Sequence, residues 1–191
     1  MNTLKGMKSR QHGFTMIELI VVIVILGILA AVALPRFTNI QRDARIAKLN
    51  AARGAVGAAS ALIHGTFLAR NGTADLAACP GTGGTADNLI GGSVCTEQGR
   101  VALVNGYPSA LIPPAVTGGA GGIISAAGLT SVFLPTVLAL NGEGYNVVAA
   151  PGGGVQVQIR GAAIVATCSF NYVNAPLNGA PTITASTTAG C

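Results

Sequence analysis

The chain has 191 residues, half of them hydrophobic, only 9% charged and none of them Trp. Its 27 glycines follow no triplet period, which excludes a collagen-like fibre, and the length suits one globular domain plus a further segment. The net charge of +5 owes much to Lys5, Lys8 and Arg10, which no acid accompanies; beyond them the chain is nearly balanced, so nucleic-acid binding is disfavoured.

The first element is the run from Phe14 to Leu34, in which only Thr15, Glu18 and Gly27 are not strongly apolar. At about 1.5 Å per residue a helix of this length spans about 31 Å, the hydrocarbon thickness of a bilayer. Pro35 and Arg36 close it, and the three cations before it place residues 1–13 in the cytoplasm. A cleaved secretory signal has a shorter core and lacks the acid. A plain anchor explains length and orientation but not Glu18. A carboxylate in a membrane-length helix is costly, so Glu18 is a functional candidate in need of a partner.

Pro35 predicts at least a kink, and Gly27 is a second weak helical position. From Arg36 to about Arg70 the pattern stays helical: Leu49, Ala52, Val56, Ala59, Ile63 and Phe67 recur at three- and four-residue steps and predict a packed stripe. Arg42, Arg45 and Arg53 crowd that stripe, and Arg53 requires an acceptor. Asn71-Gly72 marks the helix end. Residues 71–142, rich in Gly, Thr and Ala, read as a long decorated connection. Within it "GGIISAAGLTSVF" suggests a short helix and "NGYPSA" suggests turns.

The last fifty residues are strand-like. "YNVVAA" from Tyr145, "VQVQIR" from Val155 and "AIVATCSFNYV" from Ala162 predict strands, and "PTITAS" from Pro181 predicts an edge strand. Val155, Val157 and Ile159 alternate with Gln156, Gln158 and Arg160, as in a half-buried strand. The four cysteines allow three pairings. Cys79–Cys95 with Cys168–Cys191 closes the shortest loops and is preferred, and disulfides are preferred over zinc because no CxxC spacing occurs.

No catalytic set is legible. His64 stands in the helical stretch without a paired Cys or His, and Asp43, Asp75, Asp87, Glu97 and Glu143 are scattered. "PGGGV" reads as a turn, and Asn71-Gly72-Thr73 reads as an unmodified acceptor because Ala69 stands where an acid is wanted. Neither an enzyme, a metal nor a cofactor is expected.

A short basic leader ending at Gly13, then "FTMIEL", then a long apolar helix resembles the type IV pilins and pseudopilins. The resemblance implies that a prepilin peptidase cuts between Gly13 and Phe14 and N-methylates Phe14, with Met1 or Met7 as the start. Glu18 then takes the fifth place of the mature chain, where the family has a glutamate, and Gly27 and Pro35 fall at familiar positions. It further implies that Glu18 pairs with the Phe14 amine of a neighbouring subunit. Such a pair acts chiefly on register and docking, since a buried unpaired charge is strongly disfavoured. By resemblance the Gly27–Pro35 stretch either loses helicity on assembly or simply kinks. The Cys168–Cys191 loop resembles the D-region of these pilins. "FTNIQRDAR", "NGYPSA" and the "CSFNY…GC" ending resemble, more narrowly, the mannose-sensitive haemagglutinin pilins.

The implied fold is α+β, a long kinked N-terminal helix packed on a C-terminal antiparallel sheet. Its divisions are a leader 1–13, a membrane or filament-core helix 14–35, an amphipathic continuation 36–70, an αβ-loop region 71–142, and a sheet with D-region 143–191. The implied function is that of a structural subunit, expected to be the major one, in a surface filament for adhesion, surface motility or biofilm formation. Expected partners are further copies of the chain, the peptidase, an inner-membrane assembly platform with its ATPases, and the inner membrane before assembly. Two alternatives stay open: a type II secretion pseudopilin, against which stands a tail without the acids of a calcium site, and a minor pilin that binds DNA.

Overall fold

The computed structural model describes residues 14–70, 72–81, 83–114 and 119–191, the side chain of Thr38 excepted. The leader with Gly13, and Asn71 of the acceptor triplet, lie outside the described residues. Among the described residues three α-helices and two antiparallel sheets form, an α+β fold. The chain divides into two compact units, one ending at Gln41 and one spanning Arg42–Cys191.

The first unit carries the start of α1 (Met16–Arg70), whose helical assignment passes Gly27 and Pro35 without a break. Its Val and Ile residues are stiff at χ1 and only moderate helix formers in water. In hydrocarbon, however, a helix satisfies every backbone group within one segment. An 18-residue window here has a mean hydropathy of 3.1 and none of it is buried. Among the described residues this surface is exposed.

In the second unit α1 buries Leu49, Ala52, Val56, Ala59 and Ile63, the stripe expected from their spacing. The stripe serves two clusters. Leu49 to Ala59 join Ile123, Leu140, Val155, Val157, Phe170 and Tyr172 in the main core. Ile63, with Phe67 beside it, joins Val94, Val101 and Leu103.

The main core is covered by a meander of β4 (Tyr145–Ala150), β5 (Gly154–Ile159), β6 (Ser169–Val173) and β7 (Thr182–Ile183), in sequence order and antiparallel throughout. Val155, Val157 and Ile159 are buried on the face toward α1. On the other face the glutamines form an amide chain: Asn146 Nδ2 donates to Gln158 Oε1 and Gln158 Nε2 to Gln156 Oε1, each at 2.7 Å. The β4–β5 loop holds Gly152 and Gly153 at φ +84° and +79°, where a side chain would be strained.

Two sequence expectations need correction. The strand expected from Ala162 begins only at Ser169; Val165–Thr167 form a 3-10 turn instead. Pairing with β5 stops at Gln158↔Ser169, while the Ile164 amide donates to Gly190 O at 3.1 Å. The stretch 71–142 is more than a connection. It contains β1 (Ser93–Cys95), β2 (Arg100–Val104) and β3 (Tyr107–Pro108) in one antiparallel sheet, besides α2 (Ile123–Ala126) and α3 (Val137–Gly142). Short apolar runs such as "RVALV" do not separate strand from helix by period alone. The informative signal is Asn105-Gly106: both have positive φ, 52° and 81°, between the paired Val104 and Tyr107, a two-residue hairpin turn.

Two of the three crowding arginines of α1, Arg45 and Arg53, find backbone acceptors, as does Lys48. Arg45 Nη1 donates to Cys191 O at 3.0 Å and Arg53 Nε to Thr184 O at 2.7 Å. Lys48 Nζ donates to Glu143 O and sits 4.5 Å from the Tyr145 ring centroid. Each satisfies a carbonyl of the C-terminal segment with a charged donor, a stronger bond than a neutral one. Disulfides join Cys79 to Cys95 and Cys168 to Cys191, with Cα–Cα distances of 5.4 and 4.8 Å. The two sheets are tied by the buried Tyr172 hydroxyl, which donates to Pro108 O at 2.6 Å. Burial pushes that phenol up to about 12.

Candidate functional site

The candidate site is the start of α1. A helix leaves its first amides without intrahelical acceptors, and a Ser or Thr ahead of it with an acid three residues later satisfies two of them reciprocally. Thr15 and Glu18 do so. The Thr15 amide and Oγ1 donate to Glu18 Oε2 at 3.0 and 2.7 Å, and the Glu18 amide donates to Thr15 Oγ1 at 3.3 Å. The Glu18 carboxylate therefore has a local partner. Both Thr15 donors converge on one oxygen, and Oε1 has no partner among the described residues. The arrangement holds the carboxylate close to Phe14 in sequence, with one oxygen free to accept a further donor.

Thr15 was not singled out by sequence reasoning, although its signal was present. Thr-x-x-Glu ahead of an apolar run is the pattern of a capping box. Glu18, Phe14 and the apolar residues after them lie on the surface, Phe14 at 78% exposure. Around Gly27 nothing lies within 4 Å of an added Cβ, so packing inside the chain does not require a glycine there. Pro35 stands inside α1.

The other singled-out residues form no reactive group with this site. His64 Nδ1 is 2.9 Å from Gly106 O, and its ring stacks on Tyr107 with centroids 3.9 Å apart and 5° between planes. It ties α1 to the β2–β3 hairpin. Asp75 approaches Cys79 and Cys95, whose sulfurs are bonded to each other and so are not thiolate ligands. Asp75 instead pairs with Arg70 at 2.5 Å. Asp87 Oδ1 accepts from the Ser93 amide at 2.7 Å and braces the turn before β1.

Residues 8–34 match the family described as the prokaryotic N-terminal methylation motif. The chain is 49% identical over 53 residues to the type IV narrow pilus major component PilA5 of Thermus thermophilus, covering 28% of this chain and 46% of the relative. It is 42% identical over 48 residues to the type IV major fimbrial protein FimA of Dichelobacter nodosus, covering 25% and 31%. It is 43% identical over 75 residues to the fimbrial protein EcpC of Eikenella corrodens, covering 38% and 49%. The chain thus spans between about a third and a half of the length of these curated relatives. No solved structure matches it.

Proposed function

We infer that this chain, of the type IV pilin family by its N-terminal segment, is a structural subunit that polymerises into a surface filament, and that it is the major one. The observation that carries this is the apolar first part of α1, exposed among the described residues and headed by the Thr15–Glu18 box within the methylation motif. Such a surface requires a non-aqueous cover: lipid before assembly, the same helix of other copies afterwards. The relatives are pilus and fimbrial proteins, not enzymes, and this chain acts by assembly rather than catalysis.

In this reading a prepilin peptidase cuts between Gly13 and Phe14 and methylates the new amine. Residues 1–13 face the cytoplasm and the second unit faces outward while the subunit is stored in the inner membrane. An assembly platform with cytoplasmic ATPases then extracts it. Thr15 holds Glu18 Oε2, leaving Oε1 to accept the Phe14 amine of a neighbouring subunit. That pair sets register, because a charge left alone in the helical core is strongly disfavoured. The stretch Gly27–Pro35 is the place where the helix gives way if it does so on assembly. The finer resemblance to the mannose-sensitive haemagglutinin pilins belongs to the same proposal, as do adhesion, surface motility or biofilm formation as the filament's use.

Mass spectrometry of filaments sheared from intact cells tests the reading. An abundant chain beginning at N-methylated Phe14 is expected. The same chain confined to the envelope would assign it to a secretion pseudopilin, and a chain retaining its leader would overturn the processing step.

A further inference from the structure

Two surface features of the second unit stand out. One is an open groove of about 1060 Å³ between α1, the 74–80 segment and the 95–98 turn. Its walls carry Leu62 and Leu76, 72% and 102% exposed. Arg70 and Asp75 neutralise each other at one side, and Glu97 at the rim is exposed with no ion pair among the described residues. The groove is thus apolar with one free negative charge.

The other feature is the loop ahead of Cys168. Ala163, Ile164, Val165 and Ala166 are four consecutive exposed apolar residues, and exposed Arg160 lies just before them without an ion pair among the described residues. An exposed apolar run of this length has no place on a soluble surface unless something covers it. It is also held in shape. The Ile164 amide bonds Gly190 O, the Thr167 amide bonds Ile164 O and the Gly190 amide bonds Thr167 O, each at 3.1 Å. The Cys168–Cys191 bridge anchors both strands of this lock. Gly190 packs so closely that a Cβ there would collide with Ile164 O.

We propose that the 160–166 loop of one copy of this chain docks in the Leu62–Leu76 groove of a second copy, with Arg160 against Glu97. The knob is small, apolar and positive; the groove is apolar and negative. The loop is already held by three backbone bonds and a disulfide, which lowers the conformational entropy lost on docking. Loop and groove are different surfaces of the same chain, so the contact is head-to-tail and does not close by itself on a dimer; repeated, it builds a ring or an open helical filament. The proposal rests on the filament-subunit reading and names one of that filament's lateral contacts.

The test uses the full chain in cells, with Leu76→p-benzoylphenylalanine irradiated in sheared filaments. A dimer-sized product whose cross-linked peptide contains residues 160–166 is expected. Cross-linking only to another segment of the chain, to a different protein or to lipid overturns the docking. In parallel, Glu97→Arg and Arg160→Glu are each expected to lower the ratio of sheared to membrane-stored subunit about tenfold, and the double variant to recover most of it. Both positions are exposed, and an unchanged membrane pool reports that the variants fold. Single variants with the parental ratio, or a double variant as poor as the singles, overturn the pairing. Filaments lacking this chain altogether would instead overturn the subunit reading itself.

Discussion

Removing the Cys168–Cys191 bridge by Cys168→Ala/Cys191→Ala destabilises the second unit more than removing Cys79–Cys95. The sequence separations are 23 and 16. On loop-closure entropy these correspond to about 3.5 and 3.1 kcal/mol at 25 °C, nearly equal. Burial separates them at a single sulfur: Cys79 is buried like Cys168 and Cys191, and Cys95 is not. Cys168 and Cys191 both belong to the main core with Phe170 and Tyr172, and Arg45 bonds the Cys191 carbonyl. Cys95 is half-buried and lines the open groove. Truncating Cys168 and Cys191 empties one more buried site than truncating Cys79 and Cys95, a difference on the order of 1 kcal/mol. For a unit of this size that amounts to a fall in Tm of about 9–18 °C for the first variant and about 6–12 °C for the second. Thermal unfolding of the full chain in detergent, followed by circular dichroism, measures both. An equal or larger fall for Cys79→Ala/Cys95→Ala would refute the argument that burial decides their rank.

Tyr172→Phe leaves the Pro108 carbonyl without its buried donor and lowers stability by about 1–3 kcal/mol, read from the denaturant midpoint. The same phenol makes stability pH-dependent. Its folded pKa, about 12, lies above the ordinary value of 10, so the unfolded chain loses this proton first; the contribution is complete below pH 10 and is lost as pH rises from there toward 12. Tyr172→Phe should flatten that part of the stability profile, and an unchanged slope would assign it elsewhere. Gly154→Ala forces a Cβ against the Tyr172 carbonyl on the neighbouring strand and should cost about 1–3 kcal/mol in the same unfolding assay. At the helix start, Thr15→Ser should assemble as the parent does, whereas Thr15→Val and Glu18→Ala should insert normally but yield few filaments. Normal yield from Glu18→Ala would remove the carboxylate from the assembly step.

What this sequence determined by itself is whatever depends on near neighbours. The span from Phe14 to Leu34 follows from composition over one window, the buried α1 stripe from three- and four-residue spacing, and β5 from the alternation of Val155, Val157 and Ile159. The Thr15–Glu18 box is equally local, since Thr-x-x-Glu ahead of an apolar run is a capping pattern by spacing alone. Tertiary structure decided the rest. "RVALV" is a strand because Ile63 and Phe67 of α1 give it a surface to cover, and "AIVA" is not one because Gly190 takes the Ile164 amide. Arg53 finds Thr184 O 131 residues away, and Tyr172 finds Pro108 O 64 residues away. Polar groups brought out of water must bond to whatever the fold places beside them, and those partners lie beyond the reach of any periodicity read along the chain.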